Sequence, residues 1–393
     1  MEKEKLWNSN YNKVMLTNFT LFFSFYLLTP LLPLYLSETF HSSKDMIGLV
    51  LSGYTLLTLL VRPFSGFLID SFPRKKVLLL CLFTYFLLFG GYALAGSLVM
   101  FAILRTLHGA PFGASTVSNS TVAIDVLPSS RRSEGIGYYG ISNNFASALA
   151  PTIGIFIYHY VHNFEILFWL AFVVAGIGFL NATTIQLPER EVMRNVAPIS
   201  WDRFFLLKGW FLAANMCFLG ICWGILSNYL AIYGKEHLGT TSGTGTYFIL
   251  LSAGLVLSRL QGSKSLREGR LTHNATEGLL FSTAGYVLFI ACPSVAGYYI
   301  SAVLIGLGNG HIWPAFQNMI INMARHNERG TANSTLLISW DLGIGAGVLF
   351  GGIIAEHWGY DMAFEIMAVI HIVGLLMYLM YTRKHYSDIQ MHS

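Results

Sequence analysis

Twelve apolar runs, each about the length needed to cross a lipid bilayer, follow one another along this chain with little between them. They fall at 14–36, 46–69, 77–95, 98–124, 135–159, 163–186, 204–233, 242–262, 273–292, 294–322, 330–356 and 361–382. A helix needs about 20 apolar residues to traverse the hydrocarbon core. Twelve of them take up ~250 residues and leave ~140 for connections, so a separate soluble domain does not fit. The runs predict an all-α membrane protein of twelve spans. Only 11% of the residues are charged, against roughly 25% in a soluble domain, so lipid rather than water must cover most of the exterior.

The other global features narrow the class by exclusion. The net charge of +4 is modest and lies almost wholly on one side of the spans, which gives no case for a nucleic-acid partner. Cys81, Cys217 and Cys222 sit inside apolar runs and Cys292 precedes Pro293. Without CxxC or Cys/His ligand spacing, these read as buried, inert thiols. The first run is too long for a signal-peptide core and lacks a small-residue cleavage site, so it reads as a retained first span.

One inter-span stretch is polar and sizeable: 187–203, with Pro188, Glu189, Arg190, Glu191, Arg194 and Pro198. It reads as a cytoplasmic linker between a six-span bundle at 1–186 and another at 204–393. Positive residues stay on the cytoplasmic side. In a twelve-span arrangement, twenty of the 24 Lys and Arg residues fall on one side. Lys44 and Lys235 lie opposite, and Arg62 and Arg105 lie within spans. Both termini are therefore expected in the cytoplasm, with the chain multi-pass in the plasma (inner) membrane. The halves echo each other at an offset near 195–200 residues: Arg62 with Arg259, Leu104–Leu107 with Leu304–Leu307, and Glu134-Gly135 with Arg329-Gly330. A 6+6 duplication is what many transporter folds show.

The densest motif joins spans 2 and 3: Arg62-Pro63-Phe64-Ser65-Gly66-Phe67-Leu68-Ile69-Asp70-Ser71-Phe72-Pro73-Arg74-Lys75. Gly66, Leu68, Asp70, Arg74 and Lys75 fit the pattern G-x-L-x-D-R-x-G-R-[RK], with Ser71 and Pro73 as departures. On these residues the chain resembles the major facilitator superfamily over its whole length. The resemblance implies two pseudo-symmetric six-helix bundles and a cytoplasmic gate. In that gate Asp70 faces the N-terminal end of span 11 near Gly330–Ser334, and Arg74 pairs with Asp125. Arg62 joins the same gate. Further matches resemble the twelve-span drug:proton antiporters: Arg105-Thr-Leu-His108-Gly109 in span 4, Ala150-Pro151-Thr-Ile-Gly154 in span 5, and Pro30-Leu-Leu-Pro33 in span 1. Pro151 and Gly154 imply a kinked, closely packed helix. These matches favour an exporter over an importer.

Ionisable groups inside the spans are few, and each is costly in hydrocarbon. Arg105 lies two turns into span 4, with His108 one turn deeper on the same face. Asp341, in mid-span 11, has two readings: a buried structural partner, or a carboxylate that takes up and releases a coupling proton. Arg105 and Asp341 are the proton-coupling candidates. His311 and His371 read as packing histidines. Gly343, Gly347 and Gly351, spaced by four, form a stripe for close helix contact.

The resemblance places the solute among spans 1, 4, 7 and 10, where the polar and aromatic candidates are Asn18, Tyr26, Arg105, His108, Ser115, Asn215, Trp223, Asn228, Asn309, His311, Trp313, Gln317 and Asn318. Gly306-Leu-Gly308-Asn309-Gly310-His311-Ile-Trp313-Pro314 predicts an interrupted span 10. One firm cation among amides and aromatics suits an amphipathic organic solute. No Asp/Glu/His cluster has metal-ligand spacing, and no cofactor is implied. HExxH, GxSxG and phosphate-loop patterns are absent, so an enzyme is not expected. The Asp341-Leu-Gly-Ile344 run is similar to one in opine-metallophore exporters. The reading is therefore a monomeric secondary transporter exporting a small solute in exchange for H+, with a nutrient importer of the same fold as the alternative.

Overall fold

The computed structural model describes the backbone of residues 5–128, 131–187, 205–238, 242–324 and 329–391. Side chains are described for these residues except 66–67, 70–71, 132–134, 136–137, 141, 237–238, 242, 259–260, 263–264, 267, 329–330 and 391. The expected linker therefore lies almost entirely outside the described residues. What is described is helical, with no strand among the described residues.

The helices are α1 (Ser9–Leu28), α2 (Leu32–Phe40), α3 (Lys44–Ser71), α4 (Arg74–Ala93), α5 (Leu98–Val126), α6 (Arg132–Val161), α7 (Phe164–Thr183), α8 (Trp210–Leu238), α9 (Ser242–Arg267), α10 (Leu271–Ala291), α11 (Val295–Met323), α12 (Arg329–Met377) and α13 (Arg383–Met391). Span 1 is α1 and α2 together, bent by 41°. Pro30 at the break has no N–H to give, and Pro33 starts α2 with its preset φ. Spans 11 and 12 are both within α12, parted at Gly359, whose φ of 85° favours glycine. Twelve spans result, and they form the two six-helix bundles of an all-α membrane protein.

Five stretches are long and apolar enough to cross a membrane unaided: Lys44–Ser65, Arg74–Ala93, Phe164–Thr183, Leu207–Glu236 and Thr331–Gln390. The last holds two spans, and the bent α1–α2 pair adds another. Helices α5, α6, α9, α10 and α11 carry more Gly, Ser, Thr and Asn than lipid tolerates on its own. They cross as parts of a bundle in which those groups meet one another.

The chain divides into two compact units, Met1–His41 with Gly53–Ile199, and Ser42–Ser52 with Ser200–Ser393. In the first, α1 packs on α6 and α7, and α4 on α5 and α7. A side chain at Gly154 would run into the Leu27 carbonyl, so glycine there lets α6 lie directly on α1. Polar braces tie the same helices. Asn18 Nδ2 donates to Ser142 Oγ at 2.7 Å, and Asn181 Nδ2 donates to the Lys13 carbonyl at 2.6 Å.

In the second unit α8 lies along α12, and α11 packs on α9 and α10. The glycine stripe is the reason for the first pairing. Side chains at Gly343 and Gly347 would strike the Cys217 and Ile221 carbonyls, and Gly351 meets Ile225 and Tyr229. The first turns of α3 belong to this unit. The Lys44 N–H donates to Glu356 Oε2 at 2.6 Å, Lys44 Nζ pairs with Glu236 at 3.2 Å, and Gly48 lies against Gly352.

Candidate functional site

Within the first unit, Arg105 is the one cation that the second turn of α5 carries into the apolar layer, and it is only 4% exposed. Its surroundings are aromatic. The guanidinium carbon lies 4.0 Å from the centre of the Tyr54 ring on α3 and 5.9 Å from that of Phe25 on α1. Nη1 donates to the Tyr92 hydroxyl on α4 at 3.4 Å, while Nε is buried without a hydrogen-bond partner. Among the described residues no carboxylate pairs with Arg105.

Donor bookkeeping orders the next link. Arginine can only donate, so the Tyr92 oxygen accepts from it. The Tyr92 O–H then donates to His108 Nδ1, 2.7 Å away. A neutral His108 in that bond carries its proton on Nε2. The His108 ring is enclosed by Tyr85, Phe89 and Tyr92 at 4.6, 4.5 and 5.3 Å between centroids. Arg105, Tyr92 and His108 thus form one buried chain from a cation to an imidazole. Desolvating a cation costs several kcal/mol. Facing aromatic rings return about 2 kcal/mol when the pair is dry. The geometry leaves a buried positive charge faced by aromatic rings.

The expected cavity residues divide into two sets. Asn18, Asn215 and Asn228 use their amides within their own units, and His108 and His311 each bond there through Nδ1. Asn215 donates to the Gly374 carbonyl at 2.9 Å and accepts from Thr382, Asn228 donates to the Gly224 carbonyl, and His311 Nδ1 meets Asn274 Oδ1 at 2.8 Å. The reason is the cost of an unpaired amide in an apolar layer, which makes the nearest backbone carbonyl the default partner. Ser115 is buried as well. Tyr26, Trp223, Asn309, Trp313 and Gln317 remain half-buried, and Asn318 is exposed. His371 sits between Ser282 and Thr283 at 3.0 and 2.9 Å and packs as a satisfied core group.

Span 10 corrects an expectation. α11 runs unbroken from Val295 to Met323 through Pro314. Its glycines serve contact instead: side chains at Gly306, Gly308 and Gly310 would strike Leu251, Ser282 and Ser258. On the same helix Trp313 meets Trp340 of α12 edge-on at 5.4 Å. Next to Trp340, Asp341 is buried, at 8% exposure.

Of the gate candidates, Arg74 Nη1 donates to Asp125 Oδ2 at 2.6 Å, joining the start of α4 to the end of α5. Arg62 is half-buried next to Pro63 within α3. The side chain of Asp70, the surroundings of Gly66, and Gly330 lie outside the described residues. Pro151 lies within α6 one turn before Gly154, and both are buried. Tyr54 and Tyr92 are the residues that sequence reasoning missed. Tyrosines are frequent here, 20 in all, and nothing local separates these two from the rest.

Among the described residues the chain is helical and without strands, in two six-helix bundles. The family model described as "Major Facilitator Superfamily" matches residues 14–273 and 275–390. The chain belongs to the Major Facilitator Superfamily. It is 22% identical over 349 residues to the staphylopine export protein of Staphylococcus aureus, covering 86% of this chain and 87% of that protein. It is 26% identical over 381 residues to the maltose permease of Geobacillus stearothermophilus, covering 93% of each. In structure it is similar to the human organic anion transporter MFSD10, with a TM-score of 0.74 at 17% identity, covering 94% of this chain and 98% of that one. As a Major Facilitator Superfamily member the protein is an integral membrane transporter of small-molecule solutes, not an enzyme.

Proposed function

We propose that this transporter exports a small amphipathic organic solute carrying a negative group, in exchange for protons, by alternating access of its two six-helix halves. The observation that carries the reading is Arg105: a buried guanidinium held by aromatic faces and a tyrosine hydroxyl, with no carboxylate partner among the described residues. Such a group binds a carboxylate or phosphate of the solute, and the surrounding rings take its apolar part. Within the same unit as Arg105, half-buried Tyr26 supplies a further contact.

Export is supported by similarity to the staphylopine export protein and by the span 4 and span 5 motifs. Asp341 serves as the proton carrier, because a buried carboxylate takes a proton when dry and yields it when wetted. Arg105 links solute to proton by changing its partner. Arg62, Gly66, Asp70, Arg74 and Asp125 form the cytoplasmic gate. The protein works as a monomer in the plasma (inner) membrane, with residues 187–203 and both termini in the cytoplasm.

The test is a panel of organic anions, cations and neutral solutes presented to inverted vesicles under an imposed proton gradient. Gradient-driven uptake of anions, lost in Arg105→Gln, supports the proposal. Transport confined to neutral or cationic solutes refutes it. A second reading, proton-coupled import of a nutrient, draws on the likeness to maltose permease. Solute accumulation in right-side-out vesicles with an inward proton gradient decides for it.

A further inference from the structure

Span 12 does not leave the membrane as a plain α-helix. α12 widens into a π-turn, Tyr378–Thr382, before α13 begins. The wide turn is anchored from within: the Tyr378 hydroxyl donates to the Thr272 carbonyl at 3.0 Å, and Thr382 Oγ1 donates to Asn215 Oδ1 at 2.5 Å. Such turns are rare and tend to mark functional places.

Its effect is on the surface. Tyr381 packs on Trp210 at 5.7 Å, and His385 stacks on Tyr381 at 5.3 Å with the rings 19° apart. Trp210 and Tyr381 stay 49% and 43% exposed. Lys208, Arg383 and Lys384, each within two residues of this stack in the chain, are exposed. Asp388 is the one carboxylate in 205–211 and 378–391, and neither Arg383 nor Lys384 pairs with it. Met380, one residue nearer the span than Tyr381, and Leu207, in the turn before α8, are 77% and 74% exposed.

We propose that this surface, where α8 begins and α13 starts, is a binding site for the headgroup of an anionic phospholipid. Trp and Tyr settle at headgroup depth, because one end of each ring system is apolar and the other wet. The π-turn brings Tyr381 onto Trp210, and exposed Arg383 and Lys384 follow it directly in the chain. Basic residues beside a span attract anionic lipid and fall off within a Debye length. Exposed Met380 on the span side of Tyr381, with Leu207 beside Lys208, commits the site to a lipid: a soluble phosphate gains nothing from apolar side chains, whereas an acyl chain covers them. The site is separate from Arg105 and does not depend on the transport reading.

The test uses the full chain in phosphatidylcholine vesicles with a minor fraction of brominated lipid, comparing wild type with Trp210→Phe to isolate Trp210 fluorescence. Brominated phosphatidylglycerol is expected to quench Trp210 about twofold more than brominated phosphatidylcholine. The triple variant K208Q/R383Q/K384Q should lose the preference, and K208R/K384R should keep it. Equal quenching by the two lipids in wild type, or a preference that survives the triple variant, overturns the proposal. So does a preference abolished by inorganic phosphate, which would mark a free-anion site.

Discussion

Arg105 lies 4.0 Å from the centre of the Tyr54 ring and within hydrogen-bond reach of the Tyr92 hydroxyl. The relationship explains how a cation can be fixed in an apolar layer without being neutralised. A carboxylate partner would hold the guanidinium and cancel its charge at once. An aromatic face and a hydroxyl hold it and leave the charge in place. On the proposed reading, that retained charge is what an anionic solute would meet.

Replacing Arg105 separates charge from shape. Arg105→Gln should lower the initial rate of organic-anion flux in proteoliposomes by at least about tenfold, the loss of one charge-assisted contact. Arg105→Lys should fall between the two, since an ammonium keeps the charge but loses the planar stack on Tyr54. Wild-type rates in the Gln variant would remove Arg105 from the solute path.

Tyr92→Phe deletes the hydroxyl between Arg105 and His108 and leaves His108 Nδ1 buried and unpaired. Stranding a buried polar atom costs about 1–3 kcal/mol. The expected outcome is a lower thermal midpoint in detergent together with a raised KM for the anion. A stability loss without any change in KM would make Tyr92 a packing residue only.

The two cases show what was legible in the sequence. The spans were, because the need for about 20 apolar residues per crossing is imposed by the bilayer and not by tertiary context. The Gly343–Gly347–Gly351 contact was also readable, since small residues act through the backbone, whereas Pro30 and Pro33 stood out only as a motif and the bend at them came from the structure. Arg105 stood out by its cost. Its keepers, Tyr54 and Tyr92, did not, because they come from other helices and their pairing is set by three-dimensional packing. The partners of Asn18 and Asn215 were not legible for a related reason: the groups that an amide on a span meets come from other helices. The glycines of span 10 suggested a break, yet α11 stays whole because α9 and α10 fill the space those glycines leave.

The glycine contact between α12 and α8 tolerates little. Gly347→Leu would drive a side chain into the Ile221 carbonyl, and backbone cannot yield as a flexible side chain can. Overpacking of this kind costs about 1–3 kcal/mol or more. The variant should run as aggregate on size-exclusion chromatography, whereas Gly140→Leu on α6, where a side chain would meet nothing within 4 Å, should elute as wild type. Equal behaviour of the two would mean that the stripe is slack.

The Arg74–Asp125 pair, 2.6 Å apart and half-buried, can be weighed by a double-mutant cycle. Arg74→Gln and Asp125→Asn should each slow transport, and the double variant should lose less than the sum of the two. Asp70→Asn should cut flux while leaving insertion and folding intact, as a gate residue requires. Strict additivity in the cycle would show that the pair does not act as a unit in turnover.

Asp341 tests the coupling itself. Asparagine has nearly the same shape as aspartate and keeps hydrogen-bonding capacity, but it does not titrate, so Asp341→Asn should fold and still bind solute. Exchange of labelled for unlabelled solute at equal pH on both sides needs no net proton movement and should continue. Accumulation driven by a proton gradient does need it and should vanish, leaving flux that no longer responds to the pH difference. Loss of both modes would make Asp341 structural. Retention of gradient-driven accumulation would move the coupling proton to another group.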